Sequence, residues 1–314
     1  MADTLKELIV LDEILNNLFD TTYYSELDAQ DAPARQLLTS PIPGTGRRIH
    51  FPFLLPNAQL EWLKEGNPHV YRQMEGHDVE IEFQKLAGGH EVRLLDLGTP
   101  FFNDLIMRQI EGLAIQLRHK PVQRISTILE DGDSDTYYTM WDGQLLFSNS
   151  HSINGVTWDN LLGGALNSTN FRTAMTTLDT VPLGPDGEPL YMGASKYYLV
   201  VPPALKFTAM ELMNSSWNVD TGTARGSYEN ILKGAAEVIV LPDLTDADDW
   251  YLIAEYPSTK PFVHIQNPEH PATLISEIDW NSPNVLNNDR YQWSVKTFQE
   301  VYPTQFFQMV KVVN

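Results

Sequence analysis

The sequence predicts an α+β protein: one compact unit of interleaved helices and strands, with limbs that have little core of their own. Three stretches carry this reading. Between about 137 and 275, strand-like runs ("YYLVV", "EVIVL", "WYLIA", "FVHIQ") mix with helical patterns, as in an α/β unit. Residues 77–95, "HDVEIEFQKLAGGHEVRLL", alternate apolar and polar around a glycine pair. Residues 20–47 lose periodicity, and Pro33, Pro41, Pro43, Gly44 and Gly46 interrupt them.

In chain order, Leu8, Leu11, Leu15 and Leu18 recur at helical spacing and predict an amphipathic helix over Thr4–Phe19. An extended arm to residue 47 follows, and it must lie on some other surface. Within 77–95, Val79, Ile81 and Phe83 oppose Glu80, Glu82 and Gln84. Ala87-Gly88-Gly89 reads as a turn, after which Val92 and Leu94 resume the alternation. Such a hairpin is marginal alone and needs a partner for its apolar face. From Asn103, Ile106, Ile110, Leu113, Leu117, Val122, Ile125 and Leu129 form one stripe, predicting a long helix to about Glu130 with a kink at Pro121.

Further on, Asn167 or Ser168 caps a helix whose Phe171, Met175 and Leu178 share a face. Pro202-Pro203 opens a helix over 203–214 whose polar residues are Lys206, Thr208 and Glu211; it reads as a helix covered on all sides. Tyr291, Trp293, Val295 and Thr297, then Phe306, Gln308, Val310 and Val312, predict two closing strands.

Composition excludes several functions. The 314 residues hold 41 acids against 21 Lys and Arg, a net charge of −20, and residues 1–31 alone carry −7. A protein that grips nucleic-acid phosphates needs a basic patch, and none is present. An acidic surface instead repels polyanions, which does not exclude a role beside nucleic acid. With no cysteine, disulfides, thiolate nucleophiles and cysteine metal sites are excluded. No apolar run approaches the ~20 residues of a membrane span, and the start lacks signal-peptide features, so a cytoplasmic origin is expected. HExxH, GxSxG, Walker and GxGxxG motifs are missing. His264, Glu269 and His270 sit in a proline-flanked turn. Asp131, Asp133, Asp135 and Asp142 mimic a calcium loop but place Thr136 where glycine is needed. No catalytic residue, cofactor or metal is expected.

The stretches "LLPNAQLEWL" (54–63), "LGTPFF" (97–102), "WDGQLLFSNSH" (141–151), "YYLVVPPAL" (197–205), "EVIVLPDL" (237–244) and "DWYLIAE" (249–255) follow one another in an order that resembles the major head subunit of Mu-like tailed phages. An aromatic-Asp-Gly-Gln run leading to Phe and His matches Trp141, Asp142, Gly143, Gln144, Phe147 and His151. The resemblance implies the Hong Kong 97-type capsid fold: an N-terminal arm (1–47), an extended loop (48–98), a peripheral domain with a long spine helix (99–136 and 276–314) and an axial domain (137–275). It implies a structural, non-enzymatic major capsid protein that self-assembles through pentamers and hexamers into an icosahedral shell around double-stranded DNA. A virion location follows, after assembly in the host cytoplasm and without a membrane. Only about 47 residues precede the extended loop, fewer than a domain of about 100 needs, so a separate scaffolding protein is expected, with a portal and a decoration protein as further partners. Expected subunit contacts are Leu8, Leu15, Arg72, Val79, Ile81, Phe83, Lys85, Val92 and Arg93. Two other readings stand beside this one: an encapsulin-like nanocompartment shell holding protein cargo, and an acidic soluble enzyme.

Overall fold

A computed structural model describes residues 2–24, 32–54, 76–93, 100–184, 187–189, 194–216, 229–257, 259–277, 282–288 and 290–314. The first part of the chain forms α1 (Ala2–Tyr24), α2 (Ala32–Arg35), β1 (Ile42–Pro43), β2 (Arg48–Leu54), β3 (Gly76–Glu82), β4 (Gln84–Arg93) and α3 (Pro100–Asp131). The middle forms β5 (His151–Ile153), β6 (Val156–Trp158), β7 (Leu161–Gly163), α4 (Ser168–Asp179), β8 (Lys196–Val201), α5 (Lys206–Asn214), β9 (Glu237–Val240) and β10 (Trp250–Glu255). The last part forms β11 (Phe262–Gln266), β12 (Thr273–Glu277), α6 (Pro283–Asn288), β13 (Arg290–Pro303) and β14 (Met309–Val313).

Two five-stranded sheets organise these elements. One is built on the 14-residue β13, which pairs with β4, β11 and β12, while β1 extends it beyond β11. The other has the order β7-β14-β10-β8-β9. At its centre β10 lies between β8 and β14, and Trp250 to Ala254 are all buried, as an interior strand covered on both faces requires. The 32-residue α3 spans about 48 Å at 1.5 Å per residue. Its first half packs with α1, so that Leu15 and Phe19 share a core with Ile106, Ile110, Trp293 and Tyr291. Its second half, Val122 to Leu129, belongs to the main core with both sheets. Among the described residues no helix is long and apolar enough to cross a membrane.

Several local signals have the expected outcome. Asn167 caps α4, its side chain accepting from the Asn170 amide at 2.8 Å, and Phe171 and Leu178 face the core. Pro121 lies within α3. Four other expectations are corrected.

The hairpin over 77–95 does not form. Residues 84–93 are one straight strand, in register with β13 from Gln84↔Gln299 to Arg93↔Arg290, and β3 pairs instead with β2, Val79 opposite Phe51 and Ile81 opposite Ile49. Gly89 serves close approach, not a turn: a Cβ there would lie 2.4 Å from the Trp293 carbonyl oxygen.

Nor does the N-terminal arm need a foreign surface for its described parts. Besides α1 on α3, Leu37 and Leu38 are buried and β1 pairs in parallel with β11. The helix at 203–214 is covered on one face only: Ala209, Leu212 and Met213 are buried, while Phe207 and Met210 are exposed. Finally, the closing strands part company. β13 stays in the first sheet, but β14 inserts between β7 and β10 in the second, and β11 joins β13 instead of the strands that precede it. Met309, Val310 and Val312 need cover on both faces, which a central position supplies. Lys311 is buried among them because its ammonium donates to the Glu130 carbonyl at 2.9 Å and to Asp133 at 3.0 Å.

Candidate functional site

The nine residues expected at subunit contacts have different fates. Leu15, Val79 and Ile81 are buried inside their own subunit. Phe83 and Val92 are half-buried, and Lys85 and Arg93 are exposed. Leu8 lies in α1 with its side chain outside the described residues, and Arg72 lies outside them altogether. The structure does not gather this set at one place: Lys85 and Arg93 sit at opposite ends of β4, about 27 Å apart at ~3.4 Å per residue.

Lys85 also lines a groove of about 420 Å³ between α3, β4 and β13, together with Lys120, Arg124, Glu130 and Glu300. Arg124 holds the nearly inaccessible Glu300 at 2.8 Å and lies over the Tyr137 and Tyr138 rings. Burial raises the Glu300 carboxyl above its ordinary range, although Arg124 opposes that shift. Glu130 accepts from the amides of Thr245 and Asp246. Arg124, Glu300 and Glu130 are thus committed to contacts within the subunit.

The most concentrated polar geometry lies where the "WDGQLLFSNSH" motif closes on itself. Gly143 takes a φ of +78°, turning the chain so that Asp142 faces His151 across nine residues of sequence. Asp142 Oδ2 is 2.7 Å from His151 Nδ1, and its two oxygens also accept from the Gln144 and Ser152 amides. His151 Nε2 lies 3.3 Å from the Leu146 carbonyl oxygen, so both ring nitrogens face oxygen atoms. The imidazole stacks on Phe306 at 4.0 Å between centroids. Burial opposes the charged Asp142, yet His151 and the two amides outweigh it and hold the carboxyl below its ordinary range. A histidine–aspartate pair also occurs in catalytic sites, but here His151 is 0% exposed. Its work is to tie the motif to the 305–309 segment, helped by Trp141 donating to Gln305 and by Asn160 donating to the carbonyls of Leu146, Phe306 and Met309. The sequence marked these residues as a motif without giving the pair a role.

The acids of the apparent calcium loop are likewise engaged: Asp135 caps a 3-10 turn, Asp133 meets Lys311 and Asp142 meets His151. His264 Nε2 donates to Gln299 Oε1 at 3.1 Å on β13, away from any metal-like set. Among the described residues no group of three or more metal-ligating side chains converges.

Residues 80–297 match the family described as phage capsid protein, a span running from within β3 to within β13. The chain belongs to that family. Among solved structures, the capsid protein is similar to the capsid of the empty GTA particle, at 11% identity and a TM-score of 0.58 over 91% of each chain. It is also similar to the procapsid of bacteriophage JBD30 (15% identity, TM-score 0.52, 96% of this chain and 74% of that one). The capsid of Cyanophage P-SCSP1u gives 9% identity and a TM-score of 0.52 over 88% and 86%. At such identities the likeness shows the fold, which is the Hong Kong 97-type fold of tailed-phage major capsid proteins. No curated protein matches the sequence. As a phage capsid protein, the chain acts by self-assembly into a shell and is a virion component.

For a shell protein the working sites are surfaces. The most exposed large apolar side chains of the described capsid protein are Ile231 at 75% and Phe207 at 74%. The sequence reading of a fully covered helix over 203–214 misses Phe207, and it assigns Ile231 to no element. A signal was there: Phe207, Met210, Glu211 and Asn214 share one face at helical spacing, and the polar members mark that face as the wet one.

Proposed function

We propose that this capsid protein is the major head subunit of a Mu-like tailed phage or prophage, closing an icosahedral shell of pentamers and hexamers around double-stranded DNA. The observation that carries the reading is the family match across α3 and strands of both sheets. The Mu-like assignment rests on the ordered motifs, of which Asp142 and His151 form the buried tie at the base of the second sheet. The β2–β3 pair, joined by residues 55–75, serves as the extended loop, α3 as the spine helix, and the β7-β14-β10-β8-β9 sheet as the heart of the axial domain. The exposed parts of β4, including Lys85 and Arg93, are contacts between subunits. A net charge of −20 gives an inner wall to which packaged DNA does not adhere. Assembly takes place in the host cytoplasm with a separate scaffolding protein, a portal and decoration proteins as partners, and the chain catalyses no reaction.

Light scattering and negative-stain microscopy of the expressed chain test this. Closed shells or capsomer rings are expected, and a uniform 35.6 kDa monomer under all assembly conditions would overturn it. Nuclease-protected DNA inside phage-derived particles separates a genome container from a container for protein cargo.

A further inference from the structure

Lys311 on β14 is a buried lysine set between two carboxyl groups, and only one of them is needed to balance its charge. Along the β10–β14 ladder Tyr251 stands opposite Lys311 and Trp250 opposite Val312, so Asp249 and Lys311 are diagonal neighbours on one face of the sheet. Lys311 is 4% exposed and Asp249 5%. An ammonium carries three N–H groups. Two of them have acceptors, the Glu130 carbonyl at 2.9 Å and Asp133 Oδ2 at 3.0 Å. Asp249 approaches the same nitrogen without bonding it: its Oδ2 is 3.7 Å away, beyond hydrogen-bond length. Asp133, the more exposed of the two acids, already supplies the counter-charge a buried ammonium requires. The more deeply buried carboxyl is left over.

The surroundings of Asp249 suit an acyl group better than an anion. Burial raises its carboxyl above the ordinary range; the charges of Asp246 and Asp133 add to the shift, while the Asn314 amide and Lys311 oppose it. Oδ1 accepts from the Asn314 amide at 3.3 Å, a donor placed where negative charge develops on a carboxyl under attack. The backbone here is held in place. The Asp249 amide donates to Asp246 Oδ1 at 3.2 Å, and the Glu130 side chain accepts from the amides of Thr245 and Asp246. The Tyr251 ring, 6.0 Å from Lys311 Nζ, gives the pair an apolar wall.

We propose that Lys311 and Asp249 join in an isopeptide bond within the subunit, fixing β14 covalently to the start of β10. Asp133 takes one proton from the ammonium, and the freed amine attacks Cγ of the protonated Asp249 carboxyl. The Nζ–Cγ bond forms and the Cγ–Oδ2 bond breaks. Of the three ammonium protons, one passes to Asp133, one stays on the new amide, and one leaves with Oδ2 and its own proton as water. No electrons are gained or lost. Fixed proximity and a site closed to bulk water favour this condensation over its reversal.

Intact-mass measurement on the denatured full chain tests the bond. The natural chain is expected to weigh less than its sequence by one water, and digestion is expected to yield a peptide containing Asp249 joined to one containing Lys311. Lys311→Arg keeps a cation for the Glu130 carbonyl and Asp133, so it is expected to fold, as circular dichroism would show, and to have its full sequence mass. Asp249→Ala is expected to have full mass as well. Full mass in the folded natural chain, even after prolonged incubation, would overturn the proposal. A water loss that persists in Lys311→Arg would also overturn it, since that is the mark of a succinimide at an Asp-Gly pair such as Asp131-Gly132.

Discussion

Strands β10 and β4 make the same kind of antiparallel ladder under opposite conditions. β10 is paired on both edges and buried from Trp250 to Ala254. Among the described residues β4 is paired with β13 alone, over ten register positions, and none of its residues is fully buried. The ladder in β10 is stabilised by apolar burial on both faces; that in β4 depends on main-chain hydrogen bonds and a few half-covered side chains such as Leu86 and Val92. A long, uncovered edge strand is normally a hazard for a free-standing protein. On the proposed reading it is a contact between subunits, and the difference between the two strands then separates what the subunit needs to fold from what it keeps for assembly.

Substitutions can break or sharpen that contrast, and the largest effect belongs to the buried side. Asp142→Asn leaves His151 without its ionised partner and is expected to destabilise the isolated subunit by about 3–5 kcal/mol in thermal or urea unfolding. The same pair gives a pH signature. The carboxyl of Asp142 is held below its ordinary range when folded, so its contribution is complete above the unfolded pKa of about 3.9 and fades as pH falls through the lower folded value. Unfolding curves taken from pH 7 downward should show this loss in the natural chain and lack it in Asp142→Asn. Next comes Leu252→Ala at the centre of β10, expected to cost about 2–5 kcal/mol.

The glycine pair of β4 offers a sharper contrast at smaller size. Gly89→Ala forces a methyl against the Trp293 carbonyl and should cost about 1–3 kcal/mol and speed amide exchange along β4. Gly88→Ala meets only the Leu113 side chain at 3.7 Å and should stay within about 0.5 kcal/mol. Equal effects at both positions would contradict a straight strand here. The smallest change is expected from the double substitution Lys85→Ala with Arg93→Ala. Subunit stability should move by less than about 0.5 kcal/mol, while shells made from it should dissociate at lower denaturant than shells of the natural chain.

The amino-acid sequence by itself determined the elements whose evidence is local. Periodicity placed α3 with Pro121 inside it, the Asn167 cap set the start of α4, alternation marked β3 and β13 as strands, and a continuous apolar run marked β8. Order of motifs pointed to the capsid fold, and the acidic composition to a surface that does not grip nucleic acid. Only the tertiary structure decided who pairs with whom. The alternation in 77–95 is the same whether Gly88-Gly89 turns the chain or lets β13 pass close by, and β13 lies some two hundred residues away. Likewise, nothing local says that Val79 and Ile81 are covered from within, that β14 inserts beside β10, or that Phe207 is left outside. Burial is a property of the whole packed chain: an apolar side chain announces that it seeks cover, but the sheet, helix or neighbouring copy that supplies the cover is set by contacts remote in sequence.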